Sequence, residues 1–210
     1  SCNGLINAQV EEQNRHVKNS MKIYGGQTSK AYNGLKEGRW ISLQDKDIST
    51  TKNSFLDNVD LVGGEIRESS GHAISYGENY VSPTITGVAP EYKQIEKYEI
   101  LHGRFINALD MQEQRKVIVI SKRIAKELDR SYERLLGKYV KVDNFAFKVV
   151  GIYKEDESEQ TLEAFCPFTT FKTMFGKGDK VGNIIFTFHG INTLEESEAF
   201  EKKYRQKINR

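Results

Sequence analysis

Cysteine, proline, histidine and long apolar runs are all scarce in this 210-residue chain, which has two Cys and three Pro. Cys2 and Cys166 cannot build a disulfide framework, and they stand too far apart for a CxxC zinc or redox motif. Two readings of them stay open: a bridge in an oxidising compartment, or a thiol near the chain start and a buried small hydrophobe at 166. An excess of one charge sign is also missing, since 31 Lys+Arg against 29 Asp+Glu leave +2. That balance removes the electrostatic reason to expect nucleic acid. No apolar run approaches the roughly 20 residues that span a bilayer as a helix, and no signal-peptide pattern is present. Hydrophobic residues are few, at 38% with a mean hydropathy of −0.59, against roughly 45–50% in an average globular chain. A large wet surface follows, as in an elongated or two-lobed molecule. The length suits one large domain or two small ones.

What is present reads as a mixture of strands and helices. The polar segment 5–20 is helix-permissive and lacks an apolar stripe, so it is expected to stand outside any core. Residues 21–24 read as a strand closed by Gly25-Gly26, and Ser42 offers an N-cap for a helix over 42–55. From Val59 the pattern turns to sheet. Residues 59–62, 72–76 and 80–88 are β-rich, punctuated by Ser70-Gly71 and Gly77-Glu78-Asn79, and read as a hairpin pair with Pro83 favouring an edge. Pro90 opens a short helix through Tyr92 and Ile95. Val117-Ile118-Val119-Ile120 reads as a strand buried on both faces, and Ser121 caps a helix bearing Ile124, Ala125 and Leu128. Leu135-Leu136 stops at Gly137, and 139–142 with 145–153 form a hairpin about Asp143-Asn144. An acidic loop, 155–159, precedes a strand at 162–166, a short helix from Pro167 to Gly176 and a strand at 183–189. Thr193 with Glu196 is a capping box, followed by a Phe200, Tyr204 and Ile208 stripe. This order predicts α+β in two lobes.

Groups able to do chemistry are scattered. His16, His72, His102 and His189 make no HxxxH or HExxH spacing. His16 reads as solvated, His72 and His189 as half-exposed sheet residues, and His102 as bonding backbone at a turn. No GxSxG occurs, and Cys166 beside Pro167 has apolar surroundings that raise a thiol pKa. Gly176-Lys177-Gly178 lacks the GxxxxGK[ST] spacing and reads as a turn. Glu155, Asp156, Glu157 and Glu159 lack the ligand alternation and Gly of an EF-hand and read as a solvated loop. Tyr24, Tyr32, Trp40, Tyr76, Tyr80 and Tyr92 read either as packing or as a sugar- or peptide-binding surface. No catalytic residue, cofactor site or metal site is expected.

Several segments, taken in order, carry a resemblance. They are Gly87-Val88-Ala89-Pro90-Glu91-Tyr92, Leu101-His102-Gly103-Arg104-Phe105-Ile106 followed by Asp110, and Val117 to Ile120 with Ala125 and Leu128. Leu136-Gly137-Lys138-Tyr139-Val140-Lys141-Val142, Phe147-Lys148-Val149-Val150-Gly151-Ile152 and Phe165-Cys166-Pro167-Phe168-Thr169-Thr170 complete the set. Over about residues 21–190 the chain resembles the MacB-type periplasmic core domain of ABC transporter permeases, the class that includes MacB, FtsX and lipoprotein-release permeases. Each motif alone is strand-and-turn grammar, and the specificity lies in their shared order. The long polar loop 29–38 and the segment 129–132, where the family often has Leu-Phe, depart from the pattern.

The resemblance implies a porter-like βαβ lobe from 21–87 and 157–210, with a smaller sabre-like α/β lobe, 88–156, inserted in it. Residues 1–20 would extend a first membrane helix outward, and 193–210 would lead to a second, so membrane spans are expected beyond both ends. The implied place is the periplasmic side of the inner membrane. The implied partners are a second permease subunit in a dimer, a cytoplasmic ATP-binding subunit or domain, and an adaptor with an outer-membrane channel. The implied role is non-catalytic mechanotransmission of ATP-driven movement for export or efflux. Gly87, Gly103, Gly137 and Gly151 would allow tight turns. Arg104 would either pair with a carboxylate or carbonyl at the lobe junction or stand exposed. The rival reading is a stand-alone extracytoplasmic module binding glycan or peptide through Tyr76 to Tyr92, and a hydrolase is a distant third.

Overall fold

The computed structural model of the chain describes residues 6–11, 18–24, 26–27, 40–41, 43–55, 59–68, 72–176, 180–189 and 194–208. It opens with β1 (Ile6–Glu11), β2 (Lys18–Tyr24), the two-residue strands β3 (Gly26–Gln27), β4 (Trp40–Ile41) and β5 (Leu43–Gln44), and α1 (Asp45–Ser54). Next come β6 (Val59–Glu68), β7 (Ile74–Tyr76), β8 (Asn79–Val81), β9 (Thr84–Val88), α2 (Tyr92–Glu96), β10 (Glu99–Gly103) and α3 (Ala108–Gln112). The chain continues with β11 (Val117–Ser121), α4 (Lys122–Leu128), a 3₁₀ turn at Tyr132–Leu135, β12 (Tyr139–Val142) and β13 (Phe145–Lys154). The last elements are β14 (Glu163–Pro167), α5 (Phe168–Met174), β15 (Lys180–Val181), β16 (Asn183–Phe188) and α6 (Leu194–Ile208). Among the described residues no helix is long and apolar enough to cross a membrane.

The fold is α+β, and the chain divides into two compact units. One combines Ser1–Gly64 with Asp179–Arg210, and the other is Glu65–Gly178, inserted between those ends. The insert reaches further both ways than the 88–156 segment expected from sequence. The reason is strand pairing: β9 lies parallel to β14, Thr84 opposite Glu163 and Val88 opposite Pro167, and antiparallel to Glu65–Glu68 of β6. Both partners of β9 therefore belong with it.

In the first unit the strand order is β1-β2-β16-β6. Here the expected helix over 5–20 is overturned. Ile6 pairs with Ile23 and Ala8 with Met21 in an antiparallel ladder. Ile6, Ala8 and Val10 alternate with Asn7, Gln9 and Glu11, the two-residue period of a strand. Helix α1 starts three residues later than read: the Gln44 backbone N–H donates to Asp47 Oδ2 at 2.8 Å, a carboxylate at the positive end of the helix. Thr51 hydrogen-bonds Tyr204 across to α6, and Phe55 stacks on Tyr204 with ring centroids 5.3 Å apart. Phe200 and Tyr204 of the expected stripe are buried. Ser42, Thr193 and the Ile208 side chain lie outside the described residues.

The second unit orders its strands β6-β9-β14-β11-β13-β12-β7-β8, with β10 also on β13. Strand β11 is buried along its whole length between parallel β13 and antiparallel β14, as its unbroken apolar run requires. Ser121 Oγ accepts from the Ile124 N–H at 3.1 Å, capping α4 as expected. Phe165 centres the core, with the rings of Tyr98, Tyr153, Tyr92 and Phe105 at 5.1 to 5.8 Å from its own. Pro83 sits in neither β8 nor β9. It falls where the chain leaves the outer hairpin for an interior strand, so the expected single strand 80–88 is two.

Candidate functional site

Three of the four singled-out glycines gather along one stretch of β13. Strand β10 pairs antiparallel with β13, Gly103 opposite Gly151, after a bulge between Ile100 and His102. Gly103 has φ +72°, and a Cβ there would lie 2.2 Å from the Val150 carbonyl oxygen. A Cβ on Gly151 would lie 1.9 Å from the Arg104 carbonyl oxygen. Only two hydrogens in place of two methyl groups let these backbones approach so closely. The Arg104 N–H donates to Val150 O at 2.9 Å, and the Gly137 N–H to Val149 O at 2.8 Å. Gly137, at φ +82°, has open space around it and needs glycine only for its backbone conformation. Gly87 stands apart on β9, its absent Cβ leaving room for Phe171 Cβ at 2.5 Å and Ile66 Cγ2 at 3.1 Å.

Arg104 pairs with a carboxylate and a carbonyl within one unit and stays part-exposed. Its guanidinium forks onto Asp110, Nη1 to Oδ2 at 2.6 Å and Nη2 to Oδ1 at 3.2 Å, and Nη1 also reaches the Phe105 carbonyl at 3.0 Å. The Asp110 side chain is fully buried while Arg104 keeps 41% exposure. Asp110 Oδ2 further accepts the Asn107 N–H at 2.9 Å, and Asn107 Oδ1 accepts the Asp110 N–H at 2.9 Å, a reciprocal cap on α3. Arg115 Nη1 lies 3.7 Å from Asp110 Oδ1. Burial alone would push the Asp110 carboxyl up, but the Arg104 and Asn107 hydrogen bonds and the two guanidinium charges outweigh it and hold it below its ordinary value. Both Arg104 and Asp110 lie inside the 65–178 unit, so the pair locks a turn within that unit.

A second polar cluster escaped the sequence reading. Arg67 on β6 approaches Glu65 at 3.8 Å and Glu163 of β14 at 3.6 Å, and Thr86 Oγ1 donates to Glu163 Oε2 at 2.6 Å. Tyr153 OH donates to the Glu163 carbonyl at 2.6 Å. Burial pushes the Glu163 carboxyl up, and Arg67 and Thr86 only partly offset it. The sequence signal was slight: Glu65 and Arg67, two apart in a strand, share a face, but Glu163 is remote in the chain.

The remaining candidates stay separate. His72 Nδ1 meets Asp143 Oδ2 at 2.6 Å and His189 Nδ1 meets Asp60 Oδ1 at 2.7 Å, while His102 packs on Tyr132. Cys166 is buried, which pushes its thiol up. Asp156 Oδ1 accepts the Ser158 N–H, and Glu155 accepts from the Arg123 N–H, so the acidic loop binds its own surroundings. Among the described residues no group of three or more His, Cys, Asp or Glu converges as a metal site. Gly176, at φ +63°, follows the end of α5. The aromatic stretch does not form one surface: Tyr92 is 1% exposed and Tyr80 72%. Cys2, His16, Tyr32 and Lys177-Gly178 lie outside the described residues, as do the side chains of Tyr24 and Trp40.

A family model for the MacB-like periplasmic core domain matches residues 4–199. The chain is 24% identical over 174 residues to the macrolide export ATP-binding/permease protein MacB of Aggregatibacter actinomycetemcomitans, covering 79% of this chain and 25% of the relative. It is 29% identical over 121 residues to the protein of the same description from Bdellovibrio bacteriovorus, covering 57% and 18%. The chain thus spans about a quarter or less of the length of these curated relatives. Among solved structures, the periplasmic region of MacB from Actinobacillus actinomycetemcomitans superposes with TM-score 0.73 at 20% identity, covering 91% of this chain and 85% of that one. The extracellular domain of the noncanonic ABC-type transporter YknZ from Gram-positive bacteria gives 0.69 at 22% identity, covering 90% and 91%.

Proposed function

The chain belongs to the MacB-like periplasmic core domain family of ABC transporter permeases, and from that premise we propose that it passes ATP-driven movement to partners or cargo outside the membrane. In this reading it sits on the extracytoplasmic side of the inner membrane, in a permease that works as a dimer. An ATP-binding domain or subunit hydrolyses ATP, an adaptor and outer-membrane channel complete an export path, and this domain does no chemistry. Within this proposal the unit built from the chain ends takes the porter-like role and the insert the sabre-like one.

The observation that carries the reading is the Gly103–Gly151 crossing clamped by Arg104 and Asp110. Two backbones in contact and a half-buried bidentate ion pair leave the turn few ways to yield. A part that transmits displacement has to be stiff in this way.

The test uses the full-length permease with its ATP-binding partner, reconstituted in lipid. Replacing 65–178 by a short Gly-Ser linker is expected to preserve ATP hydrolysis and abolish export. Export that survives the replacement overturns the reading.

A further inference from the structure

On the outward face of strands β8, β7, β12 and β13, pairing fixes two rows of side chains. Tyr80 lies opposite Ser75, Ser75 opposite Lys141, and Lys141 opposite Ala146. Tyr139 lies opposite Lys148 on the adjacent row. Directly paired residues share a face, and Tyr139 and Lys141, two apart, share it too. The neighbours Val140 and Val142 point the other way and are buried. Tyr80 is 72% exposed and Tyr139 63%, and Lys141, Ala146 and Lys148 are exposed. Strand spacing puts Tyr80 about 10 Å from Lys141, and Tyr139 about 7 Å from Lys141.

Two large aromatics and two ammonium groups therefore occupy one small patch, with no carboxylate on either row. Rigid tyrosines that lose few rotamers on contact are the side chains most used to anchor a partner. The edge beside the patch is unsuited to strand addition. Strand β8 has three residues, Pro83 follows it, and Asn79 Nδ2 donates to Leu128 O of α4 at 3.0 Å. Short strands and prolines are how edges are blunted, which leaves the face itself.

We infer that the Tyr80–Lys141–Tyr139–Lys148 face docks an acidic protein segment, with carboxylates against the lysines and apolar side chains against the tyrosines. A protein fits better than a glycan. The two rows offer ammonium donors and no carboxylate or amide acceptor for sugar hydroxyls, and with the nearby Asp143 engaged by His72 the lysines complement carboxylates. Docking on this face does not depend on mechanotransmission, since exposure and charge suffice for it.

The test is an NMR titration of the 210-residue chain with three probes: a short peptide alternating glutamate and leucine, its glutamine counterpart, and polygalacturonate. The glutamate peptide is expected to shift the backbone signals of Tyr80, Ser75, Lys141, Tyr139 and Lys148, with affinity falling as salt rises. Tyr80→Ala with Tyr139→Ala should weaken it by about tenfold or more. Lys141→Glu with Lys148→Glu should abolish it, and arginine at both positions should retain it. All four side chains are exposed, so these variants keep their fold, checked by their unchanged core signals. Equal binding of the glutamine peptide, binding of polygalacturonate in place of the peptide, shifts at other residues, or no shifts at all would each overturn the assignment. None of these results bears on whether the insert is needed for export, which the linker replacement reads separately.

Discussion

Gly151 is the position where one added methyl group has the least room. A Cβ at 1.9 Å from the Arg104 carbonyl must push backbone against backbone, so Gly151→Ala should destabilise by about 2–3 kcal/mol or more. Gly137→Ala meets no neighbour and carries only the strain of φ +82°, about 1–2 kcal/mol. Urea unfolding of the two variants side by side checks the ranking. Asp110 and Glu163 should respond to pH in opposite senses. Asp110 is held below its ordinary value of 3.8, so its contribution is fully present above pH 3.8 and is lost as pH falls from there through its own lower value. Asp110→Asn should therefore cost stability at pH 7, and the gap from wild type should narrow below pH 3.8. Glu163 is raised above 4.5, so the folded state holds its proton more tightly and stability falls as pH climbs from 4.5 through that raised value. Glu163→Gln should remove that decline, and melting curves from pH 3 to 8 separate the two. A deeper loss for Glu163→Gln than for Asp110→Asn at pH 7 would reverse the assignment.

At the scale of elements, α5 shows how tightly the insert is seated. Phe171 is fully buried over β9, Thr169 Oγ1 donates to Met111 O at 2.6 Å, and Thr170 Oγ1 donates to Arg115 O at 2.7 Å. Phe171→Ala should cost about 3–5 kcal/mol through the cavity it leaves, measured by denaturant unfolding at constant m-value. Strand β11, the Ser121 cap and the 139–154 hairpin were legible in sequence because their signals are local: an apolar run, a hydroxyl at a helix start, a two-residue turn. Strand β1 was legible too, in the Ile6, Ala8, Val10 alternation, but its polar partners hid the period. Strand β10 and α3 were missed, since a bulge and a one-turn helix leave little periodicity. Of the clamp, Gly103, Arg104 and Gly151 stood out through the family resemblance. The role of Asp110 did not, because a buried acid is recognised by what surrounds it. Arg67 with Glu163 had no local signature at all.

For the whole molecule, the division of the chain has an experimental counterpart. The insert carries its own aromatic core and its own strand ladder from β6 to β8, so residues 65–178 expressed alone should unfold in one cooperative transition with dispersed NMR signals. A molten, ANS-binding product would show that the insert depends on the chain ends. The contacts at Gly87 add a mechanical consequence. Ile66, beside the point where the chain passes into the insert, and Phe171, near where it passes out, both press on this one residue of β9. A pull on the insert would meet the seat of β6, β9 and α5 at this residue first. The strands beyond it, out to β8, follow β9 as one paired sheet.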